Sequence, residues 1–426
     1  MRILLLGSGG REHALAHKLS QSPLCESLFI APGNAGTSLC GTNLNFGFND
    51  FESIKSACLD KKINLVIVGP EEPLVKGITD FLINDPALKD IDVIGPDKES
   101  AQLEGSKAFA KAFMMRHNIP TAAYKEFTLD NYQEGVAYLQ QHKLPIVMKA
   151  DGLAAGKGVV ICVNHLEAIA EFELMIQRSK FGEAGKKVVI EEFLHGIEMS
   201  VFVLTDGKNY VLLPEAKDYK RIGERDTGPN TGGMGAISPV PFAHAALMKK
   251  IEDKAIIPTV EGLQKEGLEY RGFIFFGFMI VDDEPYMIEY NCRMGDPETE
   301  VVIPRLKNDL VELLTAASNQ QLDKIKIETD SRTVCTVVAV SGGYPGDYKK
   351  GYEISGIEEI NPADSILFHM GTITEKGKVV TNGGRVFCIT SYGMSVFDAV
   401  EISKEEMEKV SFKNMAYRSD IGYEFE

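Results

Sequence analysis

Arg2-Ile-Leu-Leu-Leu-Gly-Ser-Gly-Gly-Arg-Glu-His13 joins a short aliphatic run to a glycine turn and then to a helical pattern that continues to Leu19. Apolar runs recur at Leu28 to Ala31, Leu65 to Val68 and Val93 to Ile94, and a helical pattern from Leu74 to Leu82 separates the last two. Short strands alternating with helices argue for a parallel sheet, because parallel neighbours need a long crossover connection. Residues 1–103 are therefore expected to form an open α/β unit. In such a sheet the turns after the strands lie at the carboxyl ends, where ligands bind. Here they read Gly7-Ser-Gly-Gly10, Pro32-Gly-Asn-Ala-Gly36, Gly69-Pro-Glu-Glu-Pro73 and Gly95-Pro96.

The first turn is not a dinucleotide fingerprint. Glu12 stands where the third glycine of G-x-G-x-x-G belongs, and Ala31-Pro-Gly-Asn34 offers no acidic residue for a ribose. A glycine turn opening a helix still presents unpaired N–H groups and the positive end of the helix dipole, and Arg11 adds a charge. A sugar phosphate fits that arrangement better than NAD.

A helix is expected from Ser106 to His117, and after Pro120 a second unit begins. Pro145-Ile-Val-Met-Lys-Ala150 reads as a strand, followed by the loop Asp151-Gly-Leu-Ala-Ala-Gly-Lys-Gly158 and the strand Val159 to Val163. Between Lys149 and Lys157 such a loop can fold over a polyphosphate with its backbone N–H groups. It lacks the G-x-x-x-x-G-K-[ST] form and leads into a strand, so it is not a P-loop; a flexible hairpin is the alternative. The pattern Leu166 to Leu174 is helical, and Val188 to Leu194 returns as a strand whose apolar residues could wall an adenine ring.

Glu215 to Gly235 is a polar, glycine-rich stretch, expected to be a long functional loop. A helix from about Ala243 to Lys265, the apolar run Gly272 to Val281 and a tight turn at Asp282-Asp-Glu284 lead to Met287-Ile-Glu-Tyr-Asn-Cys-Arg-Met-Gly-Asp-Pro-Glu-Thr-Glu300. On a strand, Glu289, Asn291 and Arg293 share one face. A carboxylate and an amide oxygen are hard ligands suited to Mg²⁺, and a guanidinium can grip an anion in two places. A polar edge strand carrying a solvated ion pair shows the same spacing. From about Ser331 strands and turns at Thr333 to Val340, Gly342 to Gly346, Thr381 to Gly384 and Val386 to Thr390 precede a helix with Val396, Val400, Met407 and Val410 on its apolar side. The fold class is thus a multidomain mixture of α/β and α+β units.

With 45 basic and 61 acidic residues the net charge is −16, which disfavours non-specific binding to nucleic acid or anionic membrane. A length of 426 residues with 44% hydrophobic residues is enough for several cores. The seven cysteines, scattered without a C-x-x-C pair, signal neither a disulfide framework nor a zinc site. The amino terminus enters a strand pattern at once, and the densest apolar run is too short for a bilayer, so a cytoplasmic, soluble protein is expected. His13 and His17 have metal-ligand spacing but no third partner in view, and a half-exposed helix face accounts for them better. No histidine pairs recognisably with a serine or cysteine nucleophile. Glycine loops, lysines near strand ends and a two-oxygen magnesium candidate instead converge on phosphoryl transfer from ATP, which needs positioning and charge neutralisation more than a nucleophile.

Seven motifs in order carry a resemblance: Gly7-Ser-Gly-Gly-Arg-Glu-His13, Ala31-Pro-Gly-Asn-Ala-Gly-Thr37, Val68-Gly-Pro-Glu-Glu-Pro-Leu-Val-Lys-Gly77, Gln102-Leu-Glu-Gly-Ser-Lys-Ala-Phe109, Lys149-Ala-Asp-Gly-Leu-Ala-Ala-Gly-Lys-Gly-Val159, Asp226-Thr-Gly-Pro-Asn-Thr-Gly-Gly-Met-Gly-Ala236 and Asn291-Cys-Arg-Met-Gly-Asp-Pro-Glu-Thr-Glu300. The chain resembles the phosphoribosylamine-glycine ligase (glycinamide ribonucleotide synthetase) family of the ATP-grasp superfamily. The resemblance implies ATP-dependent joining of glycine to 5-phosphoribosylamine through glycyl phosphate, a step of de novo purine biosynthesis, with Mg²⁺ or Mn²⁺.

It further implies an N-terminal substrate-binding domain at 1–103, an ATP-grasp core at 104–122 and 192–328, a lid at 123–191 and a C-terminal α+β domain at 329–426. Lys107, Lys149, Gly152, Gly156, Lys157 and Gly158 would hold ATP phosphates. Glu191, Glu192, Phe193 and Leu194 would line the adenine site, and Glu198 would reach the ribose. Glu289 and Asn291 would ligate the metal, with Arg293 orienting glycine or its acyl phosphate. Gly9, Gly10, Arg11, Glu12, Asn34 and Glu71 would hold phosphoribosylamine, and Asp218 lies in a loop expected to close over the substrates. Arg293, Lys149 and Asp218 are the candidate catalytic residues. Many ATP-grasp enzymes carry a second acidic metal ligand one strand earlier, where this chain has Gly277-Phe278. A carboxylase or formyltransferase of the same superfamily is the near rival, and a nucleotide-binding regulatory protein the distant one. Small-molecule substrates and a monomer or weak dimer are expected.

Overall fold

The computed structural model describes residues 1–153, 158–178 and 180–425. The loop positions Gly156 and Lys157 lie outside the described residues. The first sheet orders its strands Thr42–Asn43, Ser27–Pro32, Arg2–Gly7, Leu65–Val68 and Asp92–Ile94, all parallel. Strand parity divides the hydrophobic work. Leu4, Leu6, Val66 and Val68 enter one core, while Ile3, Leu5, Leu65 and Ile67 enter another on the opposite face. Burial on both faces explains why these strands read as continuous apolar runs.

The central sheet is antiparallel, in the order Tyr210–Leu212, Ile197–Thr205, Gly272–Val281, Glu284–Asn291. The turn before its last strand places Asp282 and Asp283 at φ 49° and 62°, the left-handed conformation that short acidic side chains tolerate. Its last pairing shifts register: Gly277 faces Glu289 while the next residue, Phe278, faces Met287. Ile288 is the extra residue of a bulge, and a bulge re-aims the side chains beyond it. Met287 consequently points into the core and Glu289, two residues on, points out of it, with Tyr290 buried again.

A lid sheet, ordered Tyr124–Thr128, Lys187–Glu192, Ile146–Ala150, Val159–Cys162, packs against the helices Tyr132–Gln141 and His165–Ile176. Phe172 fills that core, stacked on Tyr132 with ring centroids 5.3 Å apart. A Cβ at Gly135 would meet its ring at 2.4 Å, so glycine lets the helices approach. The last large sheet orders Lys217–Asp218, Gly235–Ser238, Thr333–Ser341, Arg385–Gly393 and Ser365–His369, with helix Val396–Met407 against it.

Several expectations are adjusted. The stretch 215–235 is not an unstructured loop: it holds a hairpin, Arg221–Gly223 with Thr227–Asn230, and its flanks pair into the last sheet. Fully buried Ala236 and Ile237 anchor it there, an apolar signal overshadowed by the surrounding glycines and charges. The strand expected to reach Leu194 ends at Glu192. The helix expected from 243 runs Ala245–Ile251 and Ile257–Glu266 across a π-turn at Glu252–Ile256, just before Pro258, which has no N–H to donate. Helix Val396–Met407 stops before Val410, which is buried beyond its end. All seven cysteines are free, and no helix among the described residues is long and apolar enough to cross a membrane.

Candidate functional site

A cleft of about 600 Å³ opens where the carboxyl end of the parallel sheet, the lid sheet and the last strand of the central sheet meet. At the first of these, Gly7 turns the chain at φ 128° and Glu12 folds back over the turn. Its carboxylate accepts from Gly9 N (2.6 Å) and from Arg11 Nε (2.6 Å), while Arg11 N donates to Asp296 Oδ2 (3.2 Å). Cβ atoms at Gly7 and Gly69 would stand 2.4 Å and 2.1 Å from the Glu12 side chain, so these glycines make its seat. The sequence suggests a free phosphate cradle on this helix. The structure puts the protein's own carboxylates on it, and Gly9, Arg11, Glu12 and Glu71 face the cleft around them.

Gly10 and Asn34 are not among the cleft-lining residues. Gly10 packs where a Cβ would lie 2.2 Å from Glu300 Oε1. The Asn34 amide donates to Ser8 O (2.8 Å) and His369 O (2.9 Å) and accepts from Gly36 N (2.9 Å) and Thr37 N (3.0 Å). It therefore ties two turns to the C-terminal sheet. His13 is likewise structural: its Nδ1 accepts from His369 N at 2.8 Å, and burial, aided by His369 and His17, holds it well below the usual histidine range.

On the opposite wall, Glu289 and Asn291 project from the strand together, and Arg293 follows just past its end. Arg293 meets Glu104 at 2.7 Å and Glu71 at 3.3 Å. Burial opposes its charge, but Glu104 and Glu71 more than offset that and hold the guanidinium above its ordinary range. Burial pushes Glu104 up to about 7, with Arg293 pulling the other way. Glu104 also accepts from Cys292 N at 2.7 Å. With its amide nitrogen donating to Glu104 (2.9 Å) and to Tyr290 O (3.3 Å), Asn291 turns its oxygen away from Glu104. That orientation, beside the Glu289 carboxylate, suits a hard divalent cation. Among the described residues no three His, Cys, Asp or Glu side chains gather as a metal cage. Such a site fits a cation that takes its remaining ligands from substrate oxygens and water. Gly277 stands across from Glu289, where a Cβ would come within 3.2 Å of Glu289 Cγ.

Further along, Lys220 Nζ bonds Glu198 Oε2 at 2.6 Å and lies 3.9 Å from Asp218 Oδ1. Burial raises Asp218, and burial together with Asp218 pushes Glu298 up to about 8. Carboxylates thus outnumber cations at this end, so an arriving cation is favoured.

At the lid, Lys149 Nζ contacts Glu191 (3.0 Å) and donates to Ile288 O (3.3 Å), and Lys107 Nζ donates to Gly152 O (3.1 Å). Asp151 anchors the base of the glycine loop by accepting from Ser106 Oγ (3.0 Å) and Ala108 N (2.7 Å) at the start of helix Lys107–Arg116. Gly158 lines the cleft. Glu192 and Phe193 line a neighbouring cavity of about 450 Å³ instead, and Leu194 lines neither.

Sequence reasoning missed Glu104, Lys111, Lys220, Asp296, Glu298 and Arg385, all on the cleft wall. Lys111 was recoverable, one helical turn after Lys107 and so on the same face. Arg385, ion-paired to Asp296 at 2.8 Å, comes from the C-terminal sheet and carries no local signal.

Three family models match in succession: the phosphoribosylglycinamide synthetase N domain at 1–104, its ATP-grasp (A) domain at 105–299 and its C domain at 334–424. The chain is 47% identical to the phosphoribosylamine-glycine ligase of Haemophilus influenzae and 46% to that of Pseudomonas aeruginosa, in each case across 99% of this chain and 98% of the relative. A crystal structure of phosphoribosylamine-glycine ligase from Thermotoga maritima superposes with a TM-score of 0.86 at 36% identity, covering 99% of this chain and 100% of that one. The biotin carboxylase domain of Hydrogenobacter thermophilus 2-oxoglutarate carboxylase, at 16% identity and a TM-score of 0.73, shares the fold alone, over 97% of this chain and 91% of that one. The chain belongs to the phosphoribosylglycinamide synthetase family.

Proposed function

We propose that the cleft joins glycine to 5-phosphoribosylamine at the expense of ATP, giving glycinamide ribonucleotide, ADP and phosphate in de novo purine biosynthesis. The observation that carries this reading is the meeting, in one cleft, of a phosphate-handling lysine end (Lys107, Lys149), a hard-oxygen pair (Glu289, Asn291) and a strand-end glycine turn bearing Arg11 and Glu12. A glycine carboxylate oxygen attacks the γ-phosphorus and ADP leaves; the phosphoribosylamine nitrogen then attacks the acyl carbon, loses a proton and expels phosphate.

Lys107 and Lys149 neutralise the phosphates, and Gly152, Gly156, Lys157 and Gly158 of the glycine loop bind them as well. Glu191 to Leu194 and Glu198 serve the nucleoside end. Mg²⁺ or Mn²⁺, held by Glu289 and Asn291, supplies charge neutralisation for phosphoryl transfer. Arg293, gripped by Glu71 and Glu104, is held rigidly at the reacting end, and Asp218 stands where an ammonium would be welcome. Gly9, Arg11, Glu12 and Glu71 face phosphoribosylamine, with Gly10 and Asn34 shaping the turns behind them. We assign the substrate domain to 1–103, the core to 104–122 and 192–328, the lid to 123–191 and the C-terminal domain to 329–426, in a cytoplasmic monomer or weak dimer.

The test is ADP release with substrates added singly and together. Release should require both glycine and phosphoribosylamine. Release supported by bicarbonate or formate, and not by glycine, would overturn the reading.

A further inference from the structure

Two lysines from different elements converge on one carboxylate beneath the cleft. Lys111 comes from helix Lys107–Arg116, Lys149 from strand Ile146–Ala150 and Glu191 from strand Lys187–Glu192. All three are buried, at 2%, 5% and 3% exposure, and all three line the cleft. Glu191 Oε2 lies 3.0 Å from Lys149 Nζ and its Oε1 3.2 Å from Lys111 Nζ. Lys111 is fixed further by donating to Thr121 Oγ1 (2.6 Å) and Ala122 O (3.4 Å), with the Tyr124 ring 5.5 Å away. Thr121 Oγ1 in turn donates to Met287 O (2.7 Å), on the strand that carries Glu289 and Asn291.

The trio holds two cations and one anion, so a positive charge is left over in a site facing the proposed ATP phosphates. How that charge is shared depends on Lys111. With Lys111 present, Glu191 divides its charge between two partners and Lys149 keeps attraction to spare for an incoming anion. Without it, Glu191 turns wholly to Lys149 and the pair becomes neutral, which weakens the hold of Lys149 on a phosphate.

We propose that Lys111 is a positioning residue for the reaction: by holding Glu191, it leaves the Lys149 ammonium available to ATP and ties the lid sheet to the metal-bearing strand. The inference rests on the ATP reading of the cleft.

Lys111→Met keeps most of the side chain's length and removes its charge. The ATP KM of this variant should rise about tenfold, the scale of one charge-assisted contact, while the glycine KM stays near that of the parent. In a Glu191→Gln background the same substitution should add nothing, because its route runs through Glu191. A lower melting temperature with a parental ATP KM would reduce Lys111 to a structural tie and overturn the proposal. So would an equal rise in both backgrounds. If Lys111→Met does not fold, Lys111→Gln takes its place and is read by the same outcomes in both backgrounds. Lys149→Met separates the two levels. If that variant leaves the ATP KM unchanged, the ATP reading of the lysine end falls; if it raises the KM while Lys111→Met does not, only the present inference falls.

Discussion

Gly69→Ala tests the seat of Glu12 directly. Gly69 opens the third strand-end turn in the sequence, and a Cβ built there would lie 2.1 Å from Glu12 Oε1 and 2.7 Å from the Leu6 carbonyl oxygen. Both are far inside contact distance. The first could be relieved by moving a side chain, the second only by moving buried strand backbone. Overpacking of this kind costs about 1–3 kcal/mol. Displacing the Glu12 carboxylate also frees Gly9 N and Arg11 Nε, each bonded to it at 2.6 Å. A hydrogen bond to a charged group contributes about 1.5–3 kcal/mol, so losing the alignment of Arg11 should raise the phosphoribosylamine KM by about tenfold or more. The ATP KM, set at the far end of the cleft, should change little. The assays are thermal melting and ADP release with each substrate varied in turn. If Gly69→Ala melts with the parent and keeps its phosphoribosylamine KM, the seat is not what these glycines are for.

Glu289→Gln removes the one charged member of the metal pair and should lower turnover by about a hundredfold, the scale of losing a charge-stabilising group; near-normal rates at limiting Mg²⁺ would argue against a metal role. Burial lowers His369 to about 4, so the folded state favours its neutral form. The unfolded chain takes up the proton first as pH falls below the usual value of 6.5, and stability drops through that window, by about 2 kcal/mol at pH 5. Urea midpoints measured from about pH 4.5 to about pH 7 should therefore shift less for His369→Gln than for the parent. Glu300 is fully buried and neither of its carboxyl oxygens has a hydrogen-bond partner among the described residues; burial, with Asp296 adding to it, holds it well above the usual carboxylate range. Burial favours the uncharged acid, for which Gln is the isostere, so Glu300→Gln should melt within about two degrees of the parent, and a large loss would show that the carboxyl is ionised.

What was legible in the sequence was mainly what repeats locally. The aliphatic runs of the first sheet and the glycine turns after them are short-range patterns, and the structure places those turns at one end of the parallel sheet. The spacing of Glu289 and Asn291 put both on one face because their separation falls beyond the bulge. The bulge itself was invisible, and a reader applying strict alternation would have placed Met287 in the cleft beside them. Glu104 and Arg385 were hidden for a different reason: their partners, Arg293 and Asp296, are brought to them by tertiary packing, and nothing adjacent in the chain announces it. Asn34 and Gly10 show the converse, since their motifs drew attention to residues whose contacts hold the turns together behind the cleft wall.

The strand Gly235–Ser238 finds its partner, Thr333–Ser341, about a hundred residues later in the chain. Polypeptides leave the ribosome at roughly 5–20 residues per second, so this apolar strand waits on the order of ten seconds for the neighbour that covers it. During synthesis that edge of the strand is open, so a chain truncated near residue 330 should associate with other copies more readily than the full chain.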